Sequence, residues 1–288
     1  MLLVLEQTLN GLQLGVMLFL MAAGLTLISG IMNFINLAHG SLYMLGAYLC
    51  ATVAQSTGSF LLGIAVALPG TAVVAMLLEA AALGRLYDRD HLDQVLATFG
   101  LILFFNELVK IVWGAQPIFL DAPAWLQGTV ELVPGAPYPA YRLAILVVGL
   151  LVALGLYLLI AKTRVGMLIR AGASNREMVG ALGVDIRRLY TLVFGLGAML
   201  AALAGLMAGP IYAVQVGMGE NILILAFVVI LVGLVDTLGR AFLPTLLKIA
   251  FDPATAGAVG ASVASMAIYI FMAAILAWRP TGLFGGHA

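Results

Sequence analysis

Long, unbroken apolar runs separated by short connections constrain this chain more than any other feature. A helix needs about 20 mostly apolar residues to cross a bilayer. Runs of that kind lie near Leu9 to Ser29, Ser41 to Ala54, Phe60 to Leu83, Val95 to Trp113, Tyr141 to Ala161, Leu189 to Ala213, Asn221 to Val235 and Ser262 to Trp278. A ninth, weaker segment from Ala241 to Ala258 is interrupted by Pro244, Lys248, Asp252 and Pro253. Charged residues make up 9% of the 288 residues, against roughly 25% in a soluble domain. The fold class expected is therefore an all-α, polytopic transmembrane bundle of about eight helices, read as one domain over residues 1–288. A transmembrane barrel would alternate polarity over segments of about ten residues, and these runs do not. Cys50 is the lone cysteine, so no intrachain disulfide is possible. The N-terminus lacks a basic region before Glu6, so a cleaved signal peptide is not expected.

Orientation follows from Lys and Arg in short loops. Arg85 and Arg89 lie in one loop, and six of the thirteen basic residues lie in another, Lys162 to Arg188. The loop between them, Gly114 to Ala140, carries Asp121 and Glu131 but no Lys or Arg. The basic loops are therefore expected in the cytoplasm, and the acidic loop and the N-terminus outside. Arg240, Lys248 and Arg279 share the cytoplasm only if the segment after Ala241 crosses or dips back.

Four features carry candidate functional residues. The first is a broken or re-entrant segment from Ser29 to Ser41, where Asn33, Asn36, His39 and Ser41 recur every two or three residues, punctuated by Gly30 and Gly40. Polar groups at membrane depth are costly unless they face protein or water, and interrupted helices commonly line midplane sites. The alternative is a tight cytoplasmic turn whose Asn and His cap helix ends. The second is Glu107 and Lys110, three apart on one helical face. A charge at the helix centre costs about 3 kcal/mol while each large apolar residue returns about 0.5. The two must pair, sit toward the outer interface near Trp113, or face a partner helix, and a role in a solute pathway stays open.

The third is a small-residue stripe, Gly195, Ala198, Ala202, Gly205 and Gly209, which lets helix backbones approach where the hydrophobic effect gives no drive. Gly11 and Gly15 repeat the pattern weakly. The fourth lies in the basic loop. Ser174 to Glu177 reads as a capping box and Gly183 as a helix stop, predicting a two-turn helix with Met178, Ala181 and Leu182 on one face. So short a helix needs a dock, either lipid headgroups or a cytoplasmic partner.

Enzyme signatures are missing. There is no phosphate-binding Gly-rich loop ending in Gly-Lys-Ser/Thr, no Gly-x-Ser-x-Gly elbow, and His39, His91 and His287 show no metal spacing.

Three stretches, GLTLISGIMNFINLAHGSLYMLGAYL, LDQVLATFGLILFFNELVKIVWG and TRVGMLIRAGASNREMVGALGVDIRRLYTLVFGLGAMLAALAGLMAGPI, resemble one family, and the closing RPTGLFG fits it too. These are the smaller permease subunits of branched-chain amino acid ABC importers, to which urea and short-amide permeases are related. The resemblance implies a bacterial inner-membrane importer of branched-chain amino acids or related small amino acids and amides. It also implies a second homologous permease, two cytoplasmic ATP-binding subunits and a periplasmic solute-binding protein. ATP would be bound by the partners; no cofactor of its own, no catalytic or metal residue and no nucleic acid is implied. It places Asn36, His39, Gly40 and Ser41 beside the translocation path, and Arg170 and Ala173 to Gly183 at the ATPase contact, including Ser174, Glu177, Met178, Ala181 and Leu182. Two departures stand out. Leu37 replaces the family's Phe, and Val229 to Gly233 runs straight into Leu234 to Arg240 where the family has a Gly-rich turn and a further helix. The competing reading is a stand-alone secondary transporter or facilitator using Glu107, Asp236 or His39 for ion coupling.

Overall fold

The polar and small residues scattered through the second and sixth apolar runs mark the helices that form the centre of the bundle. The computed structural model describes residues 2–226, apart from 33, 35, 88, 134 and 135. The expected spans and charges beyond residue 226 lie outside the described residues, as does Asn33. Nine α-helices are described: α1 (Leu2–Met32), α2 (His39–Thr57), α3 (Phe60–Ala81), α4 (His91–Trp113), α5 (Ala140–Lys162), α6 (Arg164–Ser174), α7 (Arg176–Ala181), α8 (Ile186–Tyr212) and α9 (Met218–Ala226). Five of them, α1, α3, α4, α5 and α8, are long and apolar enough to cross a membrane.

α2 is the informative exception. It is buried from His39 to Tyr48 and again at Cys50 and Ala51, packed against α3, α8, α9 and α4. Because protein surrounds it, α2 tolerates Ser, Tyr, Thr and Gly that a lipid-facing helix would not. The burial of the other spans sorts them the same way: 78% of the apolar window of α8 is buried, but only 17% of that of α5. Thus α2 and α8 form the core, α1 flanks it, and α3, α4 and α5 turn much of their surface to lipid.

Close helix approaches occur where side chains are smallest. A β-carbon added to Gly46 would lie 2.5 Å from Ala202, and one at Gly205 would overlap the Tyr43 carbonyl, so α2 and α8 cross nearly backbone to backbone. Gly24 and Gly197 bring α1 against α8, a β-carbon at Gly24 falling 2.5 Å from the Gly197 carbonyl oxygen. Gly195 abuts Met76 of α3, and Gly209 meets Leu120 and Val214. The stripe on α8 therefore packs against neighbours within this chain, with Ala198 and Ala202 fully buried.

The basic residues Arg85, Arg89, Lys162, Arg164, Arg170, Arg176, Arg187 and Arg188 collect at one end of the bundle; Lys110 and Arg142 lie toward the other. The positive-inside rule makes the first end cytoplasmic. At the outer end, the acidic connection forms an antiparallel hairpin of β1 (Thr129–Val133) and β2 (Ala136–Pro139). Paired backbone bonds of 2.8 Å join Ile118 to Val214 beneath it. Pairing satisfies backbone groups that an open loop at the membrane surface would leave to water.

Candidate functional site

α1 ends at Met32, and the chain turns through Asn36–Ala38 before His39 opens α2. His39 lies level with Gly24, eight residues before the end of α1. At 1.5 Å per residue the break therefore reaches about 12 Å into the bundle. His39, Asn36 and Ser41 are buried at 0%, 2% and 4% exposure. The N-cap of α2 is Ala38, with no side-chain cap, so Asn36 and His39 do not act as the caps of a cytoplasmic turn. The His39 ring sits between α1 and α8, where a β-carbon on Gly24 would lie 2.9 Å from its Nε2. The Met21 carbonyl approaches the ring without reaching hydrogen-bonding geometry. Among the described residues, neither ring nitrogen, nor either polar side-chain atom of Asn36, has a protein partner. Each such group costs roughly 1–3 kcal/mol, a cost the chain carries where two core helices and a broken helix meet. Directly beside it, the first turns of α2 and α9 touch through glycine: a β-carbon on Gly40 would lie 2.6 Å from the Gly219 carbonyl oxygen.

On the outer side lies a cavity of about 670 Å³. Gln7, Asn10 and Gln13 of α1 line it with Tyr43, Arg142, Tyr212, Met218 and Asn221. Arg142 donates to Asn10 Oδ1 at 2.5 Å, and the Tyr138 hydroxyl donates to the same oxygen at 2.9 Å. Burial pushes the Tyr138 phenol up, against the lowering influence of Arg142. Hydropathy hid Asn10 and Gln13 within the first apolar run, and Gln7 lies just before it. The three-residue spacing of Gln7, Asn10 and Gln13, one face of a helix, was the signal available.

A second missed cluster lies at the cytoplasmic end. Glu79, 1% exposed, accepts from the Tyr87 hydroxyl at 2.7 Å and from Thr191 Oγ1 at 2.6 Å. Tyr87 packs edge-on against Phe34 of the break and Tyr190 of α8. Burial, then the hydrogen bond and charge of Glu79, raise the Tyr87 phenol. One carboxylate thus joins α3, the following loop and the start of α8, and no local sequence pattern announces it.

The cytoplasmic connection contains two helices where one was expected. α6 is amphipathic, capped by Thr163 Oγ1 accepting from the Gly166 amide at 3.0 Å. A β-carbon at Gly166 would strike the backbone of Leu159 and Ile160. Arg170 donates to the Ile160 carbonyl at the end of α5. Gly172 lies beside Ile31 and Leu189, fastening α6 under the bundle, while Ala173 and Ser174 close it. The expected Ser174–Glu177 box is corrected. Asn175 is the N-cap of α7, its Oδ1 accepting from Met178 N at 2.9 Å, and Ser174 is the last residue of α6. Asn and Ser cap about equally well; holding Ser174 inside α6 leaves Asn175 in the extended conformation a cap requires. Gly183 is the stop. With φ +87°, it donates to Gly180 while Val184 donates back to Val179, closing a Schellman motif. Val179 points inward at 6% exposure, whereas Met178 and Leu182 stand out at 60% and 77%, with Ala181 and Glu177 also exposed.

Glu107 and Lys110 pair at 2.6 Å on the exposed face of α4, one to two turns from its outer end. Neighbouring Asn106 donates instead across to Glu220 of α9 at 2.5 Å.

A bundle with a buried, broken helix pair, an outer polar cavity and a basic cytoplasmic connection is that of an integral membrane permease. Residues 7–279 match the family model described as the permease component of branched-chain amino acid transport systems, and the chain belongs to that family. BraD of Pseudomonas aeruginosa, a high-affinity branched-chain amino acid transport system permease protein, is 28% identical over 98% of this chain and 95% of its own. LivH of Escherichia coli K12, bearing the same description, is 29% identical over 73% of this chain and 72% of its own. No solved structure matches.

Proposed function

We propose that this permease is the membrane-spanning subunit of an ABC importer in the bacterial cytoplasmic membrane. It carries branched-chain amino acids, or related small amino acids and amides, inward, and separate cytoplasmic subunits bind and hydrolyse the ATP. Its further partners in this reading are a second, homologous permease and a periplasmic solute-binding protein. The observation that carries the proposal is α7: a six-residue helix, stopped by Gly183 and anchored inward by Val179, that presents Met178, Ala181 and Leu182 to the cytoplasm. A helix this short has no stability of its own. Its packing against α6 and α8 suits a lever moved from outside the membrane.

Reconstitution tests this reading. Vesicles holding the permeases with their ATPases and binding protein are expected to accumulate leucine only with ATP. Accumulation by this chain alone under an ion gradient would instead establish an autonomous transporter.

Asn36, His39, Gly40 and Ser41 border the path in this reading, because the side chains of Asn36 and His39, unpartnered among the described residues, lie at membrane depth where the helix is broken. Cysteine at position 36 or 39, in a Cys50→Ser background, is expected to react with small water-soluble thiol reagents in at least one nucleotide state. Protection in every state would return the segment to a purely structural role.

A further inference from the structure

Arg142 stands apart among the charges of this chain. Of the two basic residues described toward the outer end, Lys110 is paired with Glu107, while no carboxylate of the described residues lies within 4.0 Å of Arg142. Among the described residues it donates to the neutral amide of Asn10, whose oxygen is shared with Tyr138, and the Tyr138 phenol lies beside it. A guanidinium has five N–H donors in a planar fork matched to a carboxylate. The cavity it faces adds neutral amides and apolar surface. Gln13 is only 3% exposed, yet the hydrogen bond it makes among the described residues goes to the Met17 thioether, at 3.0 Å, a weak acceptor. Leu14, Ile222 and Leu225 form the apolar part of the lining. At about 670 Å³ the space is ample for an aliphatic amino acid.

We propose that the outer cavity is an amino acid site in the permease itself. Arg142 takes the α-carboxylate, the amides of Gln13 and Asn10 bound the polar end, and the Leu14–Ile222–Leu225 wall receives the aliphatic side chain. The site rests on the reading of this chain as an amino acid permease and gives it substrate selectivity separate from that of any binding protein. It selects for a carboxylate, and so against amides and ureas of the same shape.

The test uses the detergent-purified permease–ATPase assembly without binding protein, with thermal unfolding followed against L-leucine and L-leucinamide. L-leucine is expected to raise the midpoint, and L-leucinamide to need at least about tenfold more for the same rise, as the loss of a charge-assisted pair implies. Arg142→Gln is expected to raise the half-saturating leucine concentration by about tenfold or more, and Arg142→Lys, which keeps the charge but loses the fork, by less. Tyr138→Phe removes the other bond to Asn10 and is expected to keep the wild-type leucine response. Equal responses to leucine and leucinamide, a wild-type response in Arg142→Gln, or loss of the response in Tyr138→Phe would each overturn the site; the last would make Arg142 a clamp on the hairpin. Vesicle uptake separates the two readings. Leucine uptake undiminished in Arg142→Gln leaves the transport function standing and removes the site, whereas a wild-type assembly that takes up no leucine fails as a transporter while the thermal arm still decides the site.

Discussion

Gly205→Val is expected to prevent this permease from reaching its folded state. A β-carbon at position 205 overlaps the backbone carbonyl of Tyr43, and one at Gly46 would lie 2.5 Å from Ala202 one turn away. Overpacking a core with extra methylenes costs about 1–3 kcal/mol when side chains can shift. Here the obstacle is backbone on a fully buried helix, so the cost should reach or exceed the top of that range. Moving α2 away would also part Gly40 from Gly219 and His39 from its seat between Gly24 and Gly197. The expected result is loss of monodisperse protein in mild detergent, with Gly205→Ala showing a lowered unfolding midpoint. Gly155→Ala is the control, since among the described residues a β-carbon there meets nothing within 4 Å. Gly205→Val protein with the wild-type midpoint would show that α2 and α8 do not cross as described.

The second large effect is functional and should leave the fold intact. Changing Met178 and Leu182 together to Asp places two charges on side chains that are already 60% and 77% exposed, so insertion and thermal stability should be preserved. Docking residues of this kind, seated in a partner's pocket, are each worth about 2 kcal/mol or more, so ATP-driven uptake should fall by at least about tenfold. Val179→Asp supplies the contrast. At 6% exposure Val179 holds the inner side of the Schellman turn, and a buried charge there should destabilise the connection itself. Uptake within about twofold of wild type in the double variant, a change of under 0.5 kcal/mol, would remove α7 from the coupling surface.

How far the sequence could be read followed the range of the interactions involved. The apolar runs located α2 to α5 and α8 to within a few residues, while α1 begins at Leu2, well before its run at Leu9; the basic loops oriented them, because hydropathy and charge act on each segment separately. Gly183 was legible as a helix stop for the same reason: only the local backbone decides it. The cap beside it was not, since Ser174 and Asn175 are adjacent and chemically alike, and α6 decided between them. α6 itself went unseen. With Gly166 and Gly172 it has weak intrinsic helix preference, and what holds it is its fit against the end of α5 and against Ile31 and Leu189.

The sequence by itself determined the class of the molecule, the described spans α1, α3, α4, α5 and α8, their orientation and the small stripe on α8. Tertiary structure alone decided which polar groups meet. Asn10 and Arg142 are 132 residues apart, Asn106 and Glu220 are 114, and Glu79 and Thr191 are 112. Within a bilayer a polar group is costly unless it meets protein or an enclosed water-filled space, and these groups meet protein on another element. The pairing therefore depends on which helix faces stand together, and glycines such as Gly24, Gly46, Gly197 and Gly205 set that by fixing how close the backbones come. His39 shows both halves. Its place at a break was readable from Gly40 and the neighbouring Asn residues, but its burial at membrane depth between α1 and α8 came only from the packing of three helices.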